Sequence, residues 1–210
     1  AALALARSLV CQAAVLHGPA DLPAMVLAAP AAGPAWDWVK WLPHTRGPSG
    51  VDRMLLAHRE LSTRMVEARL DAARSSPERR GRPGGGGGGA GPSAAPGRPG
   101  GPVLLVVVDD ETLTAGRRAP TRNVLRGEAG PVAGIVIAAT AARLPSVCTT
   151  VIEVRDEDGQ ADLHQPQRGT HVDDFLAAGM AEDVARELAR RLARYEDPEL
   201  ELVGAGLPTA

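Results

Sequence analysis

Two consecutive carboxylates, Asp109 and Asp110, follow an apolar run at residues 103–108, Val-Leu-Leu-Val-Val-Val. A continuous β-branched run is typical of a strand buried on both faces of a parallel sheet. In nucleotide hydrolases a carboxylate at the end of such a strand helps to hold Mg²⁺, which makes Asp109 a Walker-B-like candidate. Asp110 would then take the place of the residue that activates water. A strand-end acid can equally cap a helix, and this alternative stays open.

The phosphate-binding half of such a site is absent from the sequence. There is no Gly-x-x-x-x-Gly-Lys-Ser/Thr motif, and the only lysine, Lys40, lies between tryptophans. Six consecutive glycines at 84–89 are followed by a predicted strand rather than by a Lys-Ser or Lys-Thr and a helix. We therefore expect no catalysis and no cofactor in this chain. Mg-ATP remains open as a ligand if a phosphate-binding loop precedes residue 1, which is the alternative function.

The remaining polar residues show no catalytic or metal-binding pattern. The histidines and aspartates between residues 164 and 174 lack the regular spacing of a structural zinc site, so we expect no metal. Cys11 and Cys148 have no metal-type spacing either, and we expect both to be reduced. The residues concerned in the first set are His164, His171, Asp173 and Asp174.

Three tryptophans within six residues are unusual in a chain that has only one Phe and one Tyr. Their spacing of i, i+2 and i+5 does not place all three on one face of a helix or a strand. We expect them to be either a core anchor or an interface to a neighbouring domain. Asp37 and Lys40 within this string fit a local ion pair. The residues in question are Trp36, Trp38, Trp41 and His44.

Hydrophobic periodicity predicts alternating helices and strands, which indicates an α/β fold with a parallel-rich sheet flanked by helices. We predict that Met54, Leu61, Met65 and Ala68 share one face of the second helix. In the last helix, Val184, Leu188, Leu192 and Tyr195 are predicted to align. The predicted helices are 1–17, 51–74 and 180–195, and the predicted strands are 25–29, 103–108, 134–139 and 149–154. The last of these leads into residues 160–164 as a β-hairpin that is expected to extend one edge of the sheet.

Composition sets the remaining expectations. Residues 75–102 are rich in Gly and Pro and predict a disordered, flexible inserted loop within one domain, 1–210. The net charge of -2 gives no sign of a nucleic-acid partner. No apolar run is long enough for a membrane span. The chain opens without Met inside a helix-like stretch, so we expect it to be part of a longer protein.

Four segments in this order resemble the EccC family, the FtsK/SpoIIIE-like ATPases of type VII secretion systems. The string at 36–44, Trp-Asp-Trp-Val-Lys-Trp-Leu-Pro-His, is the most specific of them. The other three are residues 6–17 with Asp21-Leu22, residues 104–110, and residues 181–193. In this family the pattern lies in an ATPase-like region after the membrane segments and before the first motor domain.

The resemblance implies a degenerate P-loop-NTPase-like fold that lacks its first strand and loop. It implies a non-catalytic module at the cytoplasmic face of the membrane, attached through an anchor elsewhere in the parent protein. The expected partners are the other domains and subunits of a motor that assembles as a hexamer. Gly179 departs from the pattern because a capping Ser is expected there before the last helix.

Overall fold

The computed structural model describes residues 1–47, 53–75 and 101–195. Within these ranges the chain forms five α-helices and seven strands, joined by short 3-10 helices. In chain order they are α1 (Ala2–Leu16), β1 (Ala24–Ala28), α2 (Gly33–Trp36), β2 (Leu55–Leu56), α3 (Arg59–Ser75), β3 (Leu104–Asp109), α4 (Pro120–Leu125), β4 (Val132–Val136), β5 (Val151–Val154), β6 (Gln160–Gln165), β7 (Thr170–Leu176) and α5 (Glu182–Leu192).

The first four strands form a parallel sheet with the order β2-β1-β3-β4. β1 and β3 lie at its centre, where Val26 pairs in register with Val107. All five residues of β1 and the first five of β3 are buried. The predicted strands at 25–29 and 103–108 are confirmed, and so is the α/β class with a parallel sheet.

Helices cover both faces of this sheet. On one face Val26 packs in a cluster with Val10 of α1 and with Trp38. On the other face Leu27 packs in a cluster with Val66 of α3. Successive residues of a strand point to opposite faces, so one buried strand supplies both layers of the core.

The helix predicted over 51–74 begins only at Arg59. Leu55 and Leu56 form β2, which pairs in parallel with β1. Met54 is buried, but it lies ahead of the helix rather than on its face. The prediction was wrong here because an apolar Met-Leu-Leu run suits a short buried strand as well as the first turn of a helix.

The predicted packing face of this helix was also wrong. Leu61 is 49% exposed, and the buried side chains of α3 follow a different stripe. These side chains are Ser62, Val66 and Leu70. Residues spaced by four lie above one another on a helix, so this stripe meets the sheet as a unit.

The strand predicted over 134–139 as buried on both faces is instead β4, which starts two residues earlier and is only partly buried. β4 is the last strand of the parallel sheet and pairs on one side only, with β3. Because an edge strand lacks one neighbour, an apolar composition does not ensure that it is covered.

The predicted hairpin is confirmed as β5 and β6, which pair with Val154 opposite Ala161. It does not extend the parallel sheet, as expected from the sequence. A third strand, β7, pairs with β6, and the three form a separate antiparallel sheet. The sequence analysis missed β7 because only its Phe175 is even half-buried, so it has little hydrophobic pattern.

The last predicted helix is confirmed as α5, but its packed face differs from the prediction. Its fully buried residues are Ala185 and Ala189, whereas Val184 is 52% and Tyr195 71% exposed. Leu188 and Leu192 pack against the core beside the two alanines, as predicted. Small side chains let α5 approach the core closely.

Gly179 has a packing role ahead of α5. A Cβ placed on Gly179 would lie 3.0 Å from the Cβ of Ala4 in α1. The next residue, Met180, donates its backbone N–H to the carbonyl of Ala4 over 2.9 Å. The glycine thus permits a close approach of two backbones, and α5 begins without a side-chain cap.

Two sequence predictions concern features beyond this sheet. Apart from its ends, the loop predicted over 75–102 lies outside the described residues, so it stays a prediction. None of the helices within the described ranges is long and apolar enough to cross a membrane.

Candidate functional site

The candidate acids lie at the edge of the parallel sheet where the carboxyl ends of β1 and β3 meet. Asp109 is the last residue of β3 and pairs in register with Ala28 of β1. Its carbonyl accepts a hydrogen bond from the backbone of Ala29 over 2.9 Å. Asp110 is the first residue beyond the strand. In open α/β sheets this is the edge at which ligands bind.

Trp36, at the end of α2, closes this edge over Asp109. Its indole nitrogen donates a hydrogen bond to Oδ2 of Asp109 over 2.8 Å, and its side chain is fully buried. Burial raises the pKa of Asp109, the hydrogen bond from Trp36 lowers it, and the nearby charge of Asp110 raises it. The net effect is a raised pKa. One oxygen of the magnesium-side candidate is therefore occupied by a side chain of the protein.

Asp110 is the N-cap of the 3-10 helix Glu111–Thr114. Its Oδ1 accepts hydrogen bonds from the backbone N–H of Thr112 over 2.9 Å and from the Thr112 hydroxyl over 2.5 Å. Its Oδ2 is buried, lies 3.9 Å from Nε of the exposed Arg59, and has no hydrogen-bond partner within the described ranges. The contacts of Asp110 are thus those of a helix cap.

Glu111, which the sequence analysis did not single out, joins the end of β3 to the segment after β4. Its two carboxylate oxygens accept from the backbone N–H of Ala139 and from Nη1 of Arg143, each over 2.6 Å. These hydrogen bonds, the backbone one foremost, lower the pKa of Glu111. Its partners lie 28 and 32 residues away, so its position directly after Asp110 was the only local signal.

The tryptophan string divides between core and surface. Trp36 and Trp38 are fully buried and stack with ring centroids 6.2 Å apart. Unlike that of Trp36, the indole N–H of Trp38 finds no acceptor among the described residues. Large aromatic side chains contribute much of the buried apolar area, so these two anchor the string to the sheet.

Trp41 lies at the surface, with 39% of its area exposed. Two cations border its ring: Lys40 Nζ at 5.8 Å from the ring centroid and the guanidinium of Arg190 at 5.4 Å. Lys40 also forms the predicted ion pair with Asp37, at 2.7 Å. The exposed part of the string is therefore an aromatic ring beside positive charge, at the contact with α5.

His44 ends the string at the opposite edge of the sheet. It is buried, and its Nε2 lies 2.7 Å from the carbonyl of His17, the C-cap of α1. The following Thr45 returns its hydroxyl to the carbonyls of Val39 and Leu42, over 2.8 and 3.0 Å. The string thus connects the edge that carries Asp109 with the end of α1.

The other polar candidates lie in or near the antiparallel sheet. The rings of His164 and His171 are 5.5 Å apart, and His171 Nε2 is 2.5 Å from Asp173. Asp174 pairs with Arg155 instead. Across residues 1–47, 53–75 and 101–195, no group of three His, Cys, Asp or Glu side chains could hold a metal ion. Cys11 and Cys148 are both free thiols.

The residues of this chain do not by themselves fit Mg-ATP. Trp36 occupies one oxygen of Asp109, and Thr112 occupies one oxygen of Asp110. The only lysine of the sequence, Lys40, is paired with Asp37. A γ-phosphate needs a lysine and a cradle of backbone N–H groups, which the sequence lacks.

One comparison with known proteins bears on this site. Over 50 residues the chain is 38% identical to the ESX-4 secretion system protein EccC4 of Mycobacterium tuberculosis. The matched segment covers 24% of this chain and 4% of that protein. No protein-family profile matches the chain. The similarity supports a relationship to the type VII secretion system and nothing finer.

Proposed function

We propose that this chain is a non-catalytic, ATPase-like module of a type VII protein-secretion motor. It would couple the membrane-anchored part of the motor to ATPase domains that follow it. The observation that carries this proposal is the hydrogen bond from Trp36 to Asp109. It joins the most specific segment of the resemblance to the acid that a working ATPase would reserve for magnesium.

The contacts of the two acids support a structural role for this edge. Asp109 holds a buried indole, and Asp110 holds the first turn of a 3-10 helix. Each carboxylate therefore contributes to packing or capping within the fold. An acid that binds Mg²⁺ would need its oxygens directed at the ion.

The surface around Trp41 is the proposed contact with a neighbouring domain or subunit. Exposed aromatic rings bordered by arginine are enriched at the centres of protein interfaces. Trp41 has this character, with Arg190 over its ring. A partner that covers it would be held rigidly to the sheet through Trp38 and Trp36. We propose that the partners are other parts of the motor at the cytoplasmic face of the membrane, in a hexamer.

The test uses the longer parent protein and measures secretion together with ATP turnover. We expect Trp41→Ala to lower secretion while turnover by the other domains persists. Tyr195→Ala is the matched control, because Tyr195 is an exposed aromatic residue just beyond α5. Equal secretion by the parent protein and the Trp41→Ala variant would refute the coupling surface.

A second candidate function is nucleotide binding or hydrolysis, with a phosphate-binding loop that precedes residue 1. The observation that favours it is Oδ2 of Asp110, a buried oxygen without a hydrogen-bond partner among the described residues. Calorimetric titration of Mg-ATP into a longer chain that includes the preceding residues separates the two candidates. Binding at about micromolar Kd that is lost in Asp109→Ala would replace the first proposal with the second. No heat of binding would leave the non-catalytic proposal standing.

A further inference from the structure

A cleft of about 1110 Å³ lies between the start of α1, the outer edge of β4 and the segment that enters β5. Its walls are mostly aliphatic, with Leu5 from α1, Ile135 from β4 and Ile152 from β5. Within the described part of the chain, Glu153 and Arg155 are the only charged residues that line it. The cleft is therefore apolar and bordered by two strands.

The β4 side of this cleft is an unpaired strand edge. Leu104 donates its N–H to the carbonyl of Pro131, and Ile137 donates to that of Val108. Hydrogen bonds alternate along a parallel ladder, so the N–H groups of Val132, Gly134 and Val136 point away from β3. All three residues line the cleft.

The β5 side is also an unpaired edge. β5 is the first strand of its sheet and pairs only with β6 within the described ranges. The N–H of Arg155 bonds to the carbonyl of Gln160 over 2.7 Å, so by alternation those of Ile152 and Val154 point outward. Two unpaired edges thus border one apolar cleft. Such edges are normally covered, paired or charged.

We propose that residues 199–203, Glu-Leu-Glu-Leu-Val, occupy this cleft as a strand added to β4. Strict alternation of polar and apolar residues is the pattern of a strand with one buried face. Leu200 and Leu202 would face the aliphatic walls, and Glu199 and Glu201 would face solvent. The strand would use the outward N–H groups of β4 as its hydrogen-bond donors.

The chain is long enough for this return. α5 starts beside α1, because Met180 bonds to Ala4, and neighbours of Ala4 line the cleft. The 11 residues of α5 lead about 16 Å away from that point. The seven steps from residue 192 to residue 199 can span about 23 Å when extended. A segment tethered this closely competes well with a free peptide.

The test is amide hydrogen exchange, followed by NMR, on the full chain of residues 1–210. The altered chain carries Leu200→Asp and Leu202→Asp together, and Leu207→Asp is the matched control in the same tail. We expect the amides of Val132, Gly134 and Val136 to be protected in the unaltered chain. Their exchange should accelerate by about tenfold or more in the double variant and stay unchanged in the control.

The inner amides of Ala133 and Ile135 report whether the parallel sheet itself persists. Rapid exchange of the three outer amides in the unaltered chain, with the inner two protected, would overturn the proposal. So would protection that survives the double variant. If that surviving protection grew with protein concentration, the occupant would be a second copy of the chain. This inference does not depend on the proposed function.

Discussion

The indole nitrogen of Trp36 donates a hydrogen bond to Oδ2 of Asp109 over 2.8 Å, although 73 residues separate the two in the chain. It places a fully buried aromatic ring at the carboxyl edge of the parallel sheet. There it also takes up an oxygen of the acid that a magnesium site would use. The stability of this edge, rather than a reaction at it, is therefore the property to measure.

Trp36→Phe is expected to destabilise the protein by about 1–3 kcal/mol, because it leaves a half-buried carboxylate without its donor. Urea denaturation followed by circular dichroism measures the effect. Trp41→Phe is the matched control; since Trp41 is partly exposed, we expect a change within about 0.5 kcal/mol. Equal effects of the two variants would mean that the hydrogen bond contributes nothing particular.

Asp109→Asn tests the raised pKa of Asp109. In the unfolded chain an aspartate titrates near about 3.9, so the folded protein binds the proton more tightly. The stability linked to Asp109 is then fully present below that value and is lost as pH rises through the raised folded pKa. We expect the unaltered protein to lose stability relative to Asp109→Asn as pH rises through this window. Parallel curves of unfolding free energy against pH for the two proteins would contradict the shift.

Asp110→Ala removes the cap of the helix Glu111–Thr114 and is expected to cost about 1 kcal/mol, within the usual range for lost N-caps. Asp110→Asn keeps a side-chain oxygen for Thr112 and should cost less. Thermal unfolding of both variants makes the comparison. If Asn were as damaging as Ala, the charge facing Arg59 would matter more than the cap.

Gly179→Ala is expected to destabilise the protein by about 1–2 kcal/mol, because the new Cβ would meet Ala4 of α1 at 3.0 Å. Adding Ala4→Gly should relieve the contact, although a glycine within a helix has its own cost of about 1 kcal/mol. Urea denaturation of the two single variants and the double variant gives the coupling between the sites. Additive effects would show that the backbones can separate without cost.

Much of the parallel sheet was predictable, because its central strands are apolar without interruption. Residues 103–108 and 25–29 are strands wherever they are placed, since such runs must be buried on both faces. The helix face was not predictable. Ala, Leu and Met offered several apolar stripes along residues 51–74, and contact with β1 selected the one through Ser62, Val66 and Leu70.

The candidate site divides in the same way. The type and order of its residues, an Asp pair after a buried strand and a tryptophan string, were evident from the sequence alone. Its contacts were not, because the partners of Asp109 and Glu111 are 73 and 28 residues away along the chain. The alternation within residues 160–165 indicated a hairpin, whereas the separate sheet depended on β7, which has almost no hydrophobic pattern.

By itself, the sequence determined which segments are strands and helices, that the fold is α/β, and that no phosphate-binding loop is present. Local periodicity and composition carry that information, because each depends on neighbours a few residues apart. Only the tertiary structure decided that Trp36 reaches Asp109, that Trp41 stays at the surface, and that two strand edges border one cleft. These relationships join distant segments, and packing of the sheet against its helices brings them together.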